Sequence, residues 1–189
     1  MDPTTQQWPE TKRFTVDEVQ RMEEAGIFDT DEHYELLDGE LVRMTRQGAP
    51  HLRMTVVIHR LLEQAFGPGF HVQDHSNVIA GTHHMPEPDL AVVKGDPRDY
   101  LTRHVTGADV AMVVEVCHTT HTRDHRKARI YAEGGFAHYW IVDLEARRIE
   151  LHAQPTAKGY ARVDIIAEDG SVEIPSPTPC TVAPRELLP

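Results

Sequence analysis

Two acids in this sequence stand where acids are costly. Asp89 opens the apolar run Leu90-Ala91-Val92-Val93, and Glu115 interrupts the run of Val113, Val114 and Val116. An ionised carboxylate inside such a strand costs several kcal/mol unless a cation or hydrogen-bond donors meet it. If the two runs are neighbouring strands, about 4.8 Å apart, their carboxylates could grip one hard divalent ion, with water and phosphate oxygens completing an octahedron. The plainer reading leaves each acid at a strand end, solvated or paired with an arginine. Lys127 is the third candidate. On a helix it shares a face with Ile130 and Tyr131, while Arg123, Arg126 and Arg129 spread over the other faces. It either snorkels or aims its ammonium at an anion. Glu35 lies in an extended segment beside an acidic hairpin, where solvent exposure is the favoured reading. His51 stands one turn before Met54 on an apolar stripe and so points toward the sheet, as a satisfied helix-entry histidine or as a contact to phosphate or water.

The elements that must position these groups follow from spacing. Thr15 with Glu18 three residues on reads as a capping box opening a helix that Gly26 ends. Tyr34 to Val42 reads as a hairpin turning at Asp38-Gly39. Met54, Val57, Ile58, Leu61, Leu62 and Ala65 make an amphipathic helix stopped by Gly67-Pro68-Gly69. Three strands are then expected, at Phe70–Ala80, Pro88–Val93 and Asp109–Cys117, the last apolar on both faces apart from Glu115. A helix from Thr122 to Glu133 follows, stopped by Gly134-Gly135. Tyr139–Val142 and Arg148–His152 form a second, exposed hairpin, and the tail from Pro175 is irregular or an edge. Helix, strands, helix, strands in that order predicts an α+β domain, a mixed sheet with helices packed on it. Residues 1–12 are expected to be flexible, 13–175 to form the single domain, and 176–189 to be a proline-rich tail.

Composition narrows the function. The chain has 189 residues and a formal net charge of −11, which excludes a globally basic nucleic-acid binder but leaves room for a local basic groove. Residues 1–42 hold three Lys/Arg against twelve Asp/Glu, and the rest sixteen against eighteen, so an acidic N-terminal layer is attached to a nearly neutral body. Arg43, Arg46, Arg53 and Arg60 lie along one stretch and Arg123, Arg126, Lys127 and Arg129 along another. The longest apolar stretch, Val110 to Val114, is far shorter than a membrane span of about 20 residues. Two cysteines make neither a disulfide framework nor a four-thiolate metal site, and a cytoplasmic protein is expected. A second chemistry rests on histidine: His118, His121 and His125, with His83-His84, could assemble a zinc site. Cys117 beside His118 reads as a small core residue first and a nucleophile second.

Glu87-Pro88-Asp89-Leu90-Ala91-Val92-Val93 and Val113-Val114-Glu115-Val116 resemble the core of the PD-(D/E)xK phosphodiesterase superfamily. With Tyr34–Leu41, His51, Lys127, Tyr131 and His138–Asp143 in that order, residues of about 13 to 155 resemble the Uma-type family of bacterial restriction-endonuclease-like proteins. The resemblance implies a restriction-endonuclease-like mixed β-sheet flanked by helices, with an N-terminal helix and β-hairpin. It implies a metal-dependent endonuclease that hydrolyses nucleic-acid phosphodiester bonds, with DNA rather than RNA as the expected substrate; the second hairpin and the tail could support a homodimer. Asp89 and Glu115 would be ligands of Mg2+ or Mn2+, helped by the Val116 carbonyl, with Lys127 as the catalytic ammonium and Glu35 and His51 completing the site. The superfamily's lysine, two residues after the glutamate, is Cys117 here, and the following helix would supply it as Lys127. A catalytically degenerate binding or dimerisation module, or a histidine-based zinc protein, are the competing readings.

Overall fold

The computed structural model describes residues 10–29, 32–44, 47–117 and 121–189, with the backbone alone for 121–124. Thr15 caps α1 (Val16–Glu24): the Glu18 N–H donates to Thr15 Oγ1 at 3.3 Å and the Thr15 N–H to Glu18 Oε2 at 2.9 Å, the reciprocal pattern its sequence spacing predicts. β1 (Tyr34–Leu37) and β2 (Glu40–Arg43) pair across Asp38-Gly39, whose φ angles of 53° and 74° suit a type I′ turn. A Cβ on Gly39 would lie 2.8 Å from the Arg13 Cβ. Gly39→Ala is therefore expected to lower stability by at least about 1 kcal/mol, read as a lower unfolding midpoint.

α2 (Ala49–Phe66) buries Met54, Ile58, Leu62 and Phe66, and Gly67 ends it with a φ of 64°. Val57, which the spacing puts on the buried stripe, is 42% exposed. The buried line runs through His51, Met54, Thr55, Ile58 and Leu62, and Val57 sits about 100° round the helix from Ile58. The strands that follow are β3 (Phe70–Asp74), β4 (Val78–Ile79), β5 (Leu90–Lys94), β6 (Val105–Thr106) and β7 (Val110–Cys117). After α3 (His121–Glu133) come β8 (His138–Asp143), β9 (Arg148–Thr156), β10 (Gly159–Ala167), β11 (Val172–Ile174) and β12 (Cys180–Val182). Six of them form one sheet in the order β10-β9-β8-β7-β5-β3, antiparallel except for β7 beside β8.

Strand alternation splits the core in two. Leu90, Val92, Met112, Val114 and Val116 pack against α2, with β11, β12 and the C-terminal Leu187 and Leu188 in the same cluster. Ala91, Val93, Val113 and Cys117 pack with Ala128, Ile130 and Tyr131 of α3. Each fully buried Leu or Val contributes about 1.5–3 kcal/mol, and cover on both faces explains why β7 reads as nearly continuous valine. The parallel β7–β8 pair needs a crossover. α3 supplies it, which carries Lys127 back over β7.

Two expectations are corrected here. Phe70–Ala80 is not one strand: the chain leaves the sheet after Asp74, takes a φ of 43° at His75, and resumes pairing at Val78. Asp74, Ser76 and Asn77 are turn formers clustered within four positions, and they outweigh the β propensity on either side. The second hairpin is not exposed, because β8 is buried and β10 pairs with β9 from Thr156 to Arg148. The segment after Pro175 is an edge: β12 pairs with β11, and the two leucines beyond it are buried. Among the described residues no helix is long and apolar enough to cross a membrane.

Candidate active site

The register of β5 and β7 brings the two strand acids together. Leu90 pairs with Val114, so one further step along this antiparallel ladder sets Asp89 opposite Glu115. Both are buried. Asp89 stands one residue before β5, where the Val116 N–H donates to its Oδ2 at 2.7 Å and His51 Nε2 of α2 meets the same oxygen at 2.9 Å. Burial pushes the Asp89 carboxyl up, but the His51 hydrogen bond and charge, the Val116 amide and the Lys127 charge outweigh it and hold the carboxyl below its ordinary range. Asp89 is therefore an anion at neutral pH.

Glu115 projects from the middle of the valine run toward α3. Its Oε1 accepts from Lys127 Nζ at 2.8 Å and from the Tyr131 hydroxyl at 3.0 Å. Lys127 and Tyr131 lie one helical turn apart, so a single face of α3 serves both contacts. Burial pushes the Tyr131 phenol well up, with the Glu115 charge adding to it, so the hydroxyl keeps its proton. Lys127 is completely buried, and its ammonium also pairs with Glu35 Oε1 and donates to the Glu87 carbonyl at 3.3 Å. Burial alone would pull the ammonium down. The Glu115 and Glu35 carboxylates more than offset that and hold it charged, above its ordinary range. Thus Lys127 is an ion held by two acids.

Glu35 corrects an expectation: it is wholly buried rather than solvent-exposed. The β1–β2 hairpin bridges to Met85 through Leu36, and Glu35 Oε1 accepts the Glu87 N–H at 2.9 Å, so the hairpin docks on the segment leading into Asp89. Its neighbour Asp38 holds the hairpin to α3. Asp38 Oδ2 accepts from Arg126 Nε and an Arg126 terminal nitrogen, at 3.0 and 2.8 Å, and Oδ1 accepts from Arg129 at 2.5 Å. Of the basic stretches, Arg43 pairs with Glu32 at 2.8 Å, Arg53 and Arg60 are exposed, and Arg46 and the Arg123 side chain lie outside the described residues.

The donor set suits a hard cation. Asp89 and Glu115 offer carboxylate oxygens. In an extended strand a residue's N–H and C=O point the same way, so the Val116 carbonyl faces the side on which its amide meets Asp89. Two buried polar atoms, Glu35 Oε2 and His51 Nδ1, have no hydrogen-bond partner among the described residues. No three His, Cys, Asp or Glu side chains form a metal cage among those residues. Two carboxylates, one carbonyl and bound water fit Mg2+ or Mn2+, which keep several waters, better than zinc. The histidine grouping falls largely outside the described residues: His118 and the His121 side chain are beyond them, while His125 Nε2 meets Glu150 Oε2 at 3.0 Å. Cys117 is buried in the α3-side core.

Two contributors escape sequence reasoning. Glu87 acts through its main chain, which no side-chain pattern reveals. His75 Nδ1 lies 3.5 Å from Asp89 Oδ1, and its own N–H donates to the Asp89 carbonyl at 3.2 Å. The signal was the turn-forming cluster Asp74–Asn77 inside an apolar run. A cavity of about 540 Å3 lies elsewhere, lined by Trp140, Leu151, Arg162, Asp164 and Ile166 among others, and shares none of these site residues.

A mixed sheet flanked by helices, with two acids and an ammonium gathered where β5 and β7 meet α3, defines a restriction-endonuclease-like domain. Residues 16–183 match the family Uma2, described as putative restriction endonuclease, and the chain belongs to that family. Among solved structures it is similar to that of a putative nuclease of DUF820 from Anabaena variabilis ATCC 29413. The TM-score is 0.71 at 14% identity, over 92% of this chain and 97% of the other. Comparison with curated proteins gives no match.

Proposed function

We propose that the protein is a metal-dependent endonuclease that hydrolyses phosphodiester bonds of nucleic acid, DNA rather than RNA, working in the cytoplasm. The observation that carries this reading is the fully buried Lys127 ammonium hydrogen-bonded to Glu115, one strand from Asp89. A core does not gather three ionised groups without return, since hydrophobic replacements of equal volume are often as stable or more so. Asp89, Glu115 and the Val116 carbonyl would hold the Mg2+ or Mn2+ ion, which when bound supplies an activated water and neutralises phosphate charge.

The chain's own groups do the rest. His51 and the Val116 amide fix the Asp89 carboxylate, and Tyr131 fixes that of Glu115. The Lys127 ammonium is a preorganised positive charge beside the reacting phosphate, and its burial strengthens its pull on charge developing there. Glu35 keeps that ammonium in place. DNA is favoured over RNA by the family's description, and the homodimer reading rests on the nine-residue edge strand β10 with Val163 and Ile165 exposed.

Supercoiled plasmid incubated with the purified protein and Mn2+ is expected to be nicked or linearised, and to stay intact with EDTA. Intact plasmid and intact single-stranded and RNA substrates under all metal conditions would leave the degenerate-module reading in its place.

A further inference from the structure

Asp89, Glu115, Lys127, Glu35 and His51 are all buried, yet a phosphodiester must reach them from outside. The residue at that boundary is His75. Its side chain is 35% exposed, its Nδ1 is 3.5 Å from Asp89 Oδ1, and its ring stacks toward that of His51 with centroids 6.2 Å apart. The nitrogen turned to Asp89 is Nδ1, which leaves Nε2 for whatever lies on the solvent side.

The backbone reinforces the case. His75 adopts a φ of 43°, in the left-handed region, where histidine is found with asparagine and aspartate more often than other non-glycine residues. Its N–H is tied to the Asp89 carbonyl at 3.2 Å, so the imidazole is fixed relative to Asp89 by the main chain as well as by its own ring.

We propose that His75 is a substrate-contacting residue: through Nε2 it hydrogen-bonds the sugar–phosphate chain of the bound strand and seats the scissile phosphate against Asp89. This rests on the nuclease reading above. Contacts of this kind position a strand without reading its sequence, so the loss should be the same for all sequences cut.

The test uses His75→Asn, which tolerates the left-handed backbone while removing the ring, and His75→Gly, which relieves the backbone altogether. Both are compared with the wild type for unfolding midpoint and for KM and kcat on a duplex oligonucleotide in Mn2+. The expected result is an unfolding midpoint at or above that of the wild type, a KM raised about tenfold, close to the worth of one hydrogen bond to a charged group, and kcat changed far less. Wild-type KM in both variants overturns the proposal, as does a fall in kcat with KM unchanged, which would place the ring in the chemical step instead. A wild type that cuts nothing overturns the nuclease reading and this proposal with it. A wild type that cuts beside variants with unaltered KM overturns this proposal alone.

Discussion

Asp89→Asn is expected to leave the protein folded and its cleavage of plasmid DNA slower by about a thousandfold. Asparagine fills the same volume, and its side-chain oxygen can still accept the Val116 N–H that now donates to Asp89 Oδ2 at 2.7 Å. The register with β7 and the packing of Leu90 beneath α2 are untouched. What disappears is a full negative charge that the His51 contact and the Lys127 field hold in place. If that charge is one of two fixing a divalent ion, its loss removes several kcal/mol of transition-state stabilisation, and each 1.36 kcal/mol is about tenfold in rate. Glu115→Gln should behave alike. The check is paired: nicking rates in Mn2+, and the rise in unfolding midpoint on adding Mn2+, which the wild type should show and both variants should lose. Variants that cleave at the wild-type rate would remove these two carboxylates from the chemistry.

The second large effect is on stability. Lys127→Met is expected to destabilise the protein by about 3–5 kcal/mol, the cost of stripping the partner from a buried ion pair. Methionine fills most of the channel the lysine side chain occupies, so packing is not the main loss. Glu35 and Glu115, both buried, would be left as carboxylates sharing a site without the ammonium that both now contact. At about 2–4 °C per kcal/mol for a chain of this size, the unfolding midpoint should fall by roughly 10 °C. The double variant Lys127→Met/Glu35→Gln should recover part of that loss, because only one buried charge then lacks its counterion. With Glu35→Gln alone completing the cycle, a Glu35→Gln effect that is the same with Lys127 present or absent would show that the two groups do not act on each other.

Much of this architecture is legible in the residues themselves. Asp38-Gly39 announces its hairpin because two consecutive positive φ angles suit few other residue pairs. Asp89 and Glu115 stand out because a carboxylate among valines contradicts the pattern around it, and contradictions of that kind mark sites. Lys127 and His51 follow from helical spacing, once the helix face toward the sheet is fixed by Ile130 or by Met54. Glu35 is the instructive miss in environment. Its segment looks exposed because three neighbouring acids surround it, and its burial depends on docking against Met85 and Glu87, some fifty positions away. β10 is missed for a related reason: Val163 and Ile165 alternate with charged residues as a strand should, but the sequence carries no sign that β9 lacks a neighbour. His75 is hidden by the assumption that β propensity continues across a run, when three turn formers, Asp74, Ser76 and Asn77, in four positions are enough to break it.

The hairpin that supplies Glu35 and Asp38 is synthesised before the helix it grips, with Lys127, Arg126 and Arg129, which follows some ninety positions later. A growing chain on the ribosome therefore carries the anionic half of the cluster long before its cation emerges. On the proposed function, until α3 has crossed from β7 to β8 the emerging polypeptide would have no assembled centre with which to attack a nucleic acid near its own site of translation. The cluster closes only when the cation joins the acids that precede it.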